Sequence, residues 1–480
     1  MTWQSAKSSG VRLSNLTIDS NQLSVDVAWD YAWNTPTSAP GNNDAVWLFA
    51  KYKNDQGVWI HLNLTPFYQV LSSNQIFDVS TNVQGAGVII TPSQSIAGVS
   101  VSDKVVVTFN DALPSNANEV VVQAIEMVWI PEAAFYVGDG TSKNHLYKAP
   151  NHAPFLVENE QRITVDSVSG LWADEIGLTN DIPSDFPKGY MGFYAMKYEV
   201  SQNQYVAFLN TLDLSQQTNR VKNNPAGEQK FAFYDGNVVF NRNGISVSIM
   251  GNSSLNSSAH YGVDGNNNGV FNELNDGGDR ACNFLNFEDV ATYLDWAGLR
   301  PFTEFEYEKM CRGQLEPIPQ EFAWGTPYVK DANTIVSDGL DSETVSETGN
   351  DSVGLASHGY AGPKGGLRSG FAANATSSRV EAGASYYGVM ELSGNLWEYA
   401  IKAYDQGLLF DATNGDGELS VSGTFNQSSW DVNAAAHRGG AWNSGIFGLF
   451  RDLAVSDRFY IDLTTENRRN TAGGRGVLTW

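Results

Sequence analysis

Six histidines and two cysteines are the residues of this 480-residue chain best suited to ligate a transition metal or attack a substrate. The histidines stand at 61, 145, 152, 260, 358 and 437, and no two are spaced i, i+4 as a helical metal pair would be. His145 and His152 share the polar segment SKNHLYKAPNHAP and could meet at a metal with a third partner. His61 lies in a strand without acidic or histidine neighbours and reads as structural. Cys282 and Cys311 can build neither a disulfide framework nor a four-thiolate zinc site, and read as buried, inert thiols. Nucleophilic hydrolysis has no supporting motif, because G-x-S-x-G is absent and no histidine stands beside Cys311.

Oxygen-bearing side chains suggest a hard cation instead. The run DGNNNGVFNELND, from Asp264 to Asp276, matches the start of an EF-hand-type loop. Asp264, Asn266 and Asn268 hold positions one, three and five, and Gly269 holds the sixth, where the chain must turn sharply. Position twelve is Asn275 rather than glutamate, so Glu273 or Asp276 would supply the missing carboxylate, with Asn272 among the candidate oxygen ligands. The competing reading is a plain cluster of Asn-Gly turns. The run NGDGE at 414–418 reads as a hairpin turn.

The elements that must position these residues fall into two stretches. Up to about residue 125, short β-branched and aromatic runs such as LSVDVAWDYAW, DAVWLFAKY and NEVVVQAIEMVWI alternate with Gly, Pro, Asn and Asp clusters. That pattern predicts an all-β immunoglobulin-like sandwich over 1–125. From about Met127 the texture becomes rich in Gly, Asn and Trp, and three helices are expected. Ser201 with Gln204, and Thr303 with Glu306, are capping boxes, while Gly298 and Gly313 stand where helices should stop. The polar stretches around 214–280 and 328–385 read as ordered loops. The fold class is therefore α+β, with a second domain over 126–480.

Composition narrows the partners. Aromatic residues make up 12% of the chain, which excludes wholesale disorder. A formal charge of −24 repels phosphates and anionic lipid, so neither nucleic acid nor a membrane surface is an expected partner. No run of about 18 apolar residues suggests membrane insertion. The amino terminus lacks a secretory apolar run, so the expectation is synthesis in the cytoplasm without Sec export.

Six ordered motifs then become recognisable. They are MVWIPEAAFYVGDG; GFYAMKYEVSQNQYVAFLN; ACNFLNFEDVATYLDWAGLRPFTEFEYEKMCRG followed by FAWG; YYGVMELSGNLWEYA; HRGGAWNSG; and RDLAVSDRF with RRNTAGGRGV. Together they resemble the formylglycine-generating-enzyme, or sulfatase-modifying factor, family over roughly Met127 to Val477. The resemblance implies a variant of the C-type lectin fold. It also implies, for oxygen-dependent members, a pair of copper-binding cysteines near the carboxy terminus, and no cysteine follows Cys311 here. A further branch uses histidine-bound non-haem iron. Structural calcium in the family lies near a G-N-x-W-E element, which makes Asn395 and Glu398 candidate ligands.

Non-catalytic relatives of this fold are binding proteins, among them the variable proteins of diversity-generating retroelements and phage receptor-binding proteins. Their ligand contacts lie between an RGG-x-W-type motif and the closing glycine-arginine element. The same interval here carries six arginines, at 438, 451, 458, 468, 469 and 475, against four acids, with large aromatics between them. Arginine and aromatic residues dominate protein-binding hot spots because they bury much area and form bidentate bonds. Trp442, Arg438, Arg458 and Arg475 read as core residues or partners of internal carboxylates. Asn443, Phe447, Phe450, Arg451, Phe459, Tyr460, Arg468 and Arg469 read as ligand contacts. The expected function is binding without catalysis, in a phage tail or contractile injection particle released by lysis. The sandwich would dock to particle proteins and the carboxy-terminal face would meet a protein or glycan target, in a chain that could be a homo-oligomer. The alternatives are a metal-dependent oxidoreductase of the same family and a purely structural decoration protein.

Overall fold

The structure, a computed structural model, describes residues 10–64, 70–81, 85–109, 120–174, 176, 178–359, 361–445, 450–461 and 466–480. Nine strands come first among the described residues: β1 (Arg12–Asp19), β2 (Gln22–Asn34), β3 (Asp44–Lys53), β4 (Trp59–His61), β5 (Val70–Ser72), β6 (Phe77–Thr81), β7 (Val88–Pro92), β8 (Ile96–Thr108) and β9 (Val120–Ile130). β2 alternates buried Leu23, Val25, Val27 and Trp29 with partly exposed residues, the period of a strand that is apolar on one face. It joins an antiparallel sheet of order β1-β2-β8-β5. That sheet faces β3, β7 and β9 across a shared core of Val25, Trp29, Val46, Leu48, Ile90 and Val122. The amino-terminal part is thus a two-layered β-sandwich.

β3 differs from β2 because eight consecutive residues of it are buried. A strand apolar on both faces must be covered on both. One face lies in the sandwich. The other carries Trp47 and Phe49 into a second core shared with the helices. The Trp47 indole donates to the Ala297 carbonyl at 2.7 Å, and Phe49 meets Trp296 edge-on at 5.2 Å. β9 completes the fusion. Its residues pair with β3 on one side and, from Met127 to Ile130, with the strand Phe193–Met196 on the other. That strand in turn pairs with Val477–Thr479. One seven-stranded sheet therefore runs through both stretches, and the boundary expected between residues 125 and 126 lies inside β9.

Among the described residues the rest is mostly irregular backbone around four short helices: α1 (Gln202–Leu209), α2 (Leu214–Arg220), α3 (Phe287–Trp296) and α4 (Glu304–Arg312). Each is opened by a reciprocal capping box, Ser201 with Gln204, Asp213 with Gln216, Asn286 with Asp289 and Thr303 with Glu306. α2 falls in a stretch expected to be loop. The same stretch holds an antiparallel pair of strands, Ile245–Ile249 with His260–Val263. A small sheet, with Trp397–Ile401 between Ala435–Arg438 and Ala472–Gly473, carries the carboxy-terminal segment. Among the described residues no helix is long and apolar enough to cross a membrane.

Candidate functional site

The carboxy-terminal segment is anchored from within. α4 buries Glu304 and Glu308, and a buried carboxylate requires a cation close by. Arg458 grips Glu304 with two bonds of 2.8 Å, and Arg438 lies 3.5 Å from Glu308 and 3.8 Å from Glu304. Arg475 holds both oxygens of Glu398, at 2.6 and 2.7 Å. The Trp442 indole donates to the Asn470 carbonyl. Much of the local surplus of arginine is therefore internal neutralisation.

Arg468, expected to face a ligand, belongs with these. It donates to both oxygens of the buried Asp289 at 2.6 and 2.8 Å and to the carbonyls of Asn219 and Val221. The half-buried Arg469 pairs its backbone with Phe284 and Leu285. Asn443 sits half-buried in the turn after Trp442. Phe447 lies outside the described residues, as does the side chain of Phe450, whose backbone opens a 3-10 turn over Phe450–Leu453.

Three of the expected contacts do meet at the surface. Phe459 is 39% exposed, and the Arg451 guanidinium lies over its ring at 4.1 Å. Tyr460 meets Phe459 edge-on at 4.8 Å and Trp397 at 5.6 Å. Arg451 also lines an open cavity of about 410 Å³ whose other walls include Ser142, His145, Tyr147, His152 and Asp174. The loop is shaped by Asp139, which accepts from the amides of Thr141 and Ser142, the Ser142 hydroxyl and the Gln320 amide. His152, in the left-handed region at φ +55°, stacks on Tyr147 at 4.0 Å. Asp174 accepts from the Tyr147 hydroxyl at 2.8 Å and lies 3.7 Å from His152 Nε2. Burial, together with that bond, pushes the Tyr147 phenol up to about 12. The two loop histidines do come together, with ring centres 5.7 Å apart. Composition did not mark Tyr147 or Asp174 as site residues. The signal for Tyr147 was its place between the two histidines, and Asp174 had none.

This arrangement has hydrogen-bonding groups but no relay to a nucleophile, since the Ser142 hydroxyl is committed to Asp139 rather than to a histidine. The two thiols lie in different cores, and burial pushes both up, away from the thiolate that ligates metal. Burial holds His358 down at about 4, and burial with the nearby Arg469 charge holds His437 at about 3. Among the described residues no three His, Cys, Asp or Glu side chains are grouped to hold a metal ion.

The loop at 264–276 closes on itself. Asp264 accepts from the Asn268 and Gly269 amides, and the Lys230 ammonium donates to it at 2.6 Å and to Asn267 at 2.6 Å. The Asn266 and Asn268 side chains donate to Glu273. Asn272 accepts from the Val263 amide, and Asp276 from those of Glu273 and Asn266. Lys230 holds the charge at Asp264, and the Asn266 and Asn268 carbonyl oxygens accept from the amides of Asn268 and Val270. At the second candidate ion position, Asn395 donates to Glu199 and accepts from the Leu367 amide, while Arg475 takes Glu398. Burial and the neighbouring Glu398 charge push Glu199 well up.

The model of the sulfatase-modifying factor enzyme 1-like domain family matches residues 115–475, three-quarters of the chain. The chain belongs to that family. The match begins before β9 and ends just before the last strand of the shared sheet. No curated protein matches the chain. One solved structure, described as "pH-induced modulation of Streptococcus parasanguinis adhesion by Fap1 fimbriae", is similar at 14% identity. The similarity covers 35% of this chain and 84% of that one, with a TM-score of 0.15. A likeness so small supports no conclusion about fold or function.

Proposed function

We propose that this family member is a non-catalytic ligand- or receptor-binding protein of a phage tail or contractile injection particle. In this reading an immunoglobulin-like sandwich docks to particle proteins, and a C-type-lectin-like face meets a protein or glycan target outside the cell. The observation that carries it is the Arg451–Phe459 stack, exposed on the rim of the cavity that His145, Tyr147 and Asp174 line. An arginine lying over a partly exposed aromatic ring offers large contact area, the make-up of a binding hot spot. Multivalent display on a particle would amplify a weak single site. A structural calcium ion in the 264–276 loop is part of the same proposal, displacing the Lys230 ammonium from Asp264.

Gradient sedimentation of native lysate followed by mass spectrometry tests the assignment. Co-sedimentation with tail-tube, sheath or baseplate proteins is expected, and a slow-sedimenting free protein would overturn the particle reading. On the particle, Phe459→Ala and Arg451→Ala should each abolish target adhesion. Unchanged adhesion in both would favour a structural decoration protein. The approach of His145 to His152 favours the oxidoreductase alternative, which stoichiometric iron or copper in the purified protein would support.

A further inference from the structure

We infer that Lys197 and Glu126 are joined by an isopeptide bond, which the folded chain forms without a separate enzyme. The site lies in the fused sheet and does not depend on the reading of the target-binding face.

The pleat brings three ionisable side chains together. Glu126 stands opposite Val46, and Asp44, two residues earlier, projects from the same face. The Lys197 amide donates to the Glu126 carbonyl directly after the Met196–Met127 pair, which sets Lys197 beside Glu126. All three are buried, Asp44 completely. The Lys197 ammonium lies 2.5 Å from Glu126 Oε1, 4.7 Å from the centre of the Trp33 ring and 5.3 Å from that of Tyr198. Four lysines are buried among the described residues. Lys51, Lys188 and Lys309 donate to backbone carbonyls, and Lys197 alone of the four is paired with a carboxylate.

Two carboxylates thus face one ammonium. Asp44 accepts from the Trp29 indole at 3.1 Å and the Trp33 amide at 3.0 Å, both neutral donors. Burial raises Asp44 to about 7, so near neutrality it can give and take a proton. Asp30, whose charge also reaches Glu126, is paired with Arg12 at 2.6 Å. Burial opposes the charge on Lys197, but Glu126, Tyr198 and Asp44 outweigh it, so the pair starts as ions. Condensation needs no outside reagent. The ammonium passes one proton along the 2.5 Å bond to Glu126, giving a free amine and a carboxylic acid. The amine lone pair forms the Nζ–Cδ bond, and the Cδ–O bond breaks. Asp44 takes the second amine proton and returns one to the departing hydroxyl, which leaves as water. Contact between amine and acid supplies the effective concentration, and the loss of two buried charges favours the amide. Glu126 Oε2 faces the exposed Gly10, where an added Cβ would lie 3.0 Å away, and the water leaves on that side. The bond spans 71 positions and fastens β9 to the residue that follows the Phe193–Met196 strand.

Intact mass spectrometry and peptide mapping of the unfolded full chain test the inference. The parent should weigh one water less than its sequence, with the peptides that carry Glu126 and Lys197 recovered as one. Lys197→Arg should restore the full mass. Asp44→Asn, followed in time after cell-free synthesis, should slow the joining at least about 100-fold, the lower end for proton transfer by a placed side chain. A parent of full mass with the two peptides separate overturns the inference, whether or not any variant folds. Loss of the same water from Lys197→Arg overturns it too. Joining at the parent rate in Asp44→Asn overturns the role given to Asp44.

Discussion

Arg468 separates a clamp from a contact. Arg468→Gln removes two charge-assisted bonds to Asp289, whose carboxylate is fully buried and also accepts from the Asn286 amide as part of the α3 capping box. Stripping a cation from a buried carboxylate costs about 3–5 kcal/mol. Two features lower that figure here. Arg220 remains 3.2 Å from Asp289, and the Arg468 side chain is 22% exposed, so water enters part of the vacated space. The expected loss is about 2–3 kcal/mol. Urea unfolding followed by circular dichroism reads it as a lower midpoint, and thermal melting as a fall in Tm on the order of 2–3 °C. Adhesion, measured below the melting range, should remain at the parent level. A variant within about 0.5 kcal/mol of the parent that has lost adhesion would refute the reasoning, because Arg468 would then be reaching a ligand and not holding the closing segment on α3.

Three further outcomes follow from the geometry. Lys51 is buried between His61 Nδ1 at 3.0 Å and the Gly417 carbonyl at 2.6 Å, and burial lowers it from 10.5 to about 7. The unfolded chain then binds more protons between those values, so the penalty is full below pH 7 and fades as pH rises towards 10.5. The stability gained by Lys51→Met at pH 6 should exceed that at pH 10 by roughly 3–5 kcal/mol in urea titrations, and equal effects at both would refute it. A chain starting at residue 126 loses β3 and half of β9, leaving the Met127–Ile130 remnant of β9 as an open edge. It should fail to give the cooperative melt of the full chain, and an unchanged melt would refute the fusion. Calcium should raise the Tm of the parent reversibly, and Asp264→Ala should abolish the rise. A flat response to calcium and chelator sinks that site.

The helices were legible because a capping box is written within four residues. Ser201 with Gln204 and Thr303 with Glu306 announce α1 and α4 with no knowledge of the fold. α2 carries the same signature in Asp213 and Gln216, yet LSQQTNR has no apolar period and passed for loop. Its buried face is polar: Gln217 is fully covered and donates to the carbonyls of Leu209 and Ala259. β3 also advertised its environment, since an unbroken apolar run implies cover on both faces. What covers it could not be read, because Trp47 meets Ala297 across 250 residues of sequence and Phe49 meets Trp296 beside it.

By itself the sequence determined the family, the capped helices, the inward alternation of the sandwich strands and the absence of a closing thiolate pair, all of which are written in local order and residue type. Only tertiary structure decided which charges are surface and which are core. Arg451 and Arg458 are the same residue type seven positions apart. One lies over an exposed ring and the other is sealed against Glu304, 154 residues away. A guanidinium is stable in either place provided that it is solvated or paired, so composition constrains the number of arginines and not their partners. The cavity obeys the same logic. His145 and His152 share a loop, but Asp174 and Arg451 join them only once the chain has packed.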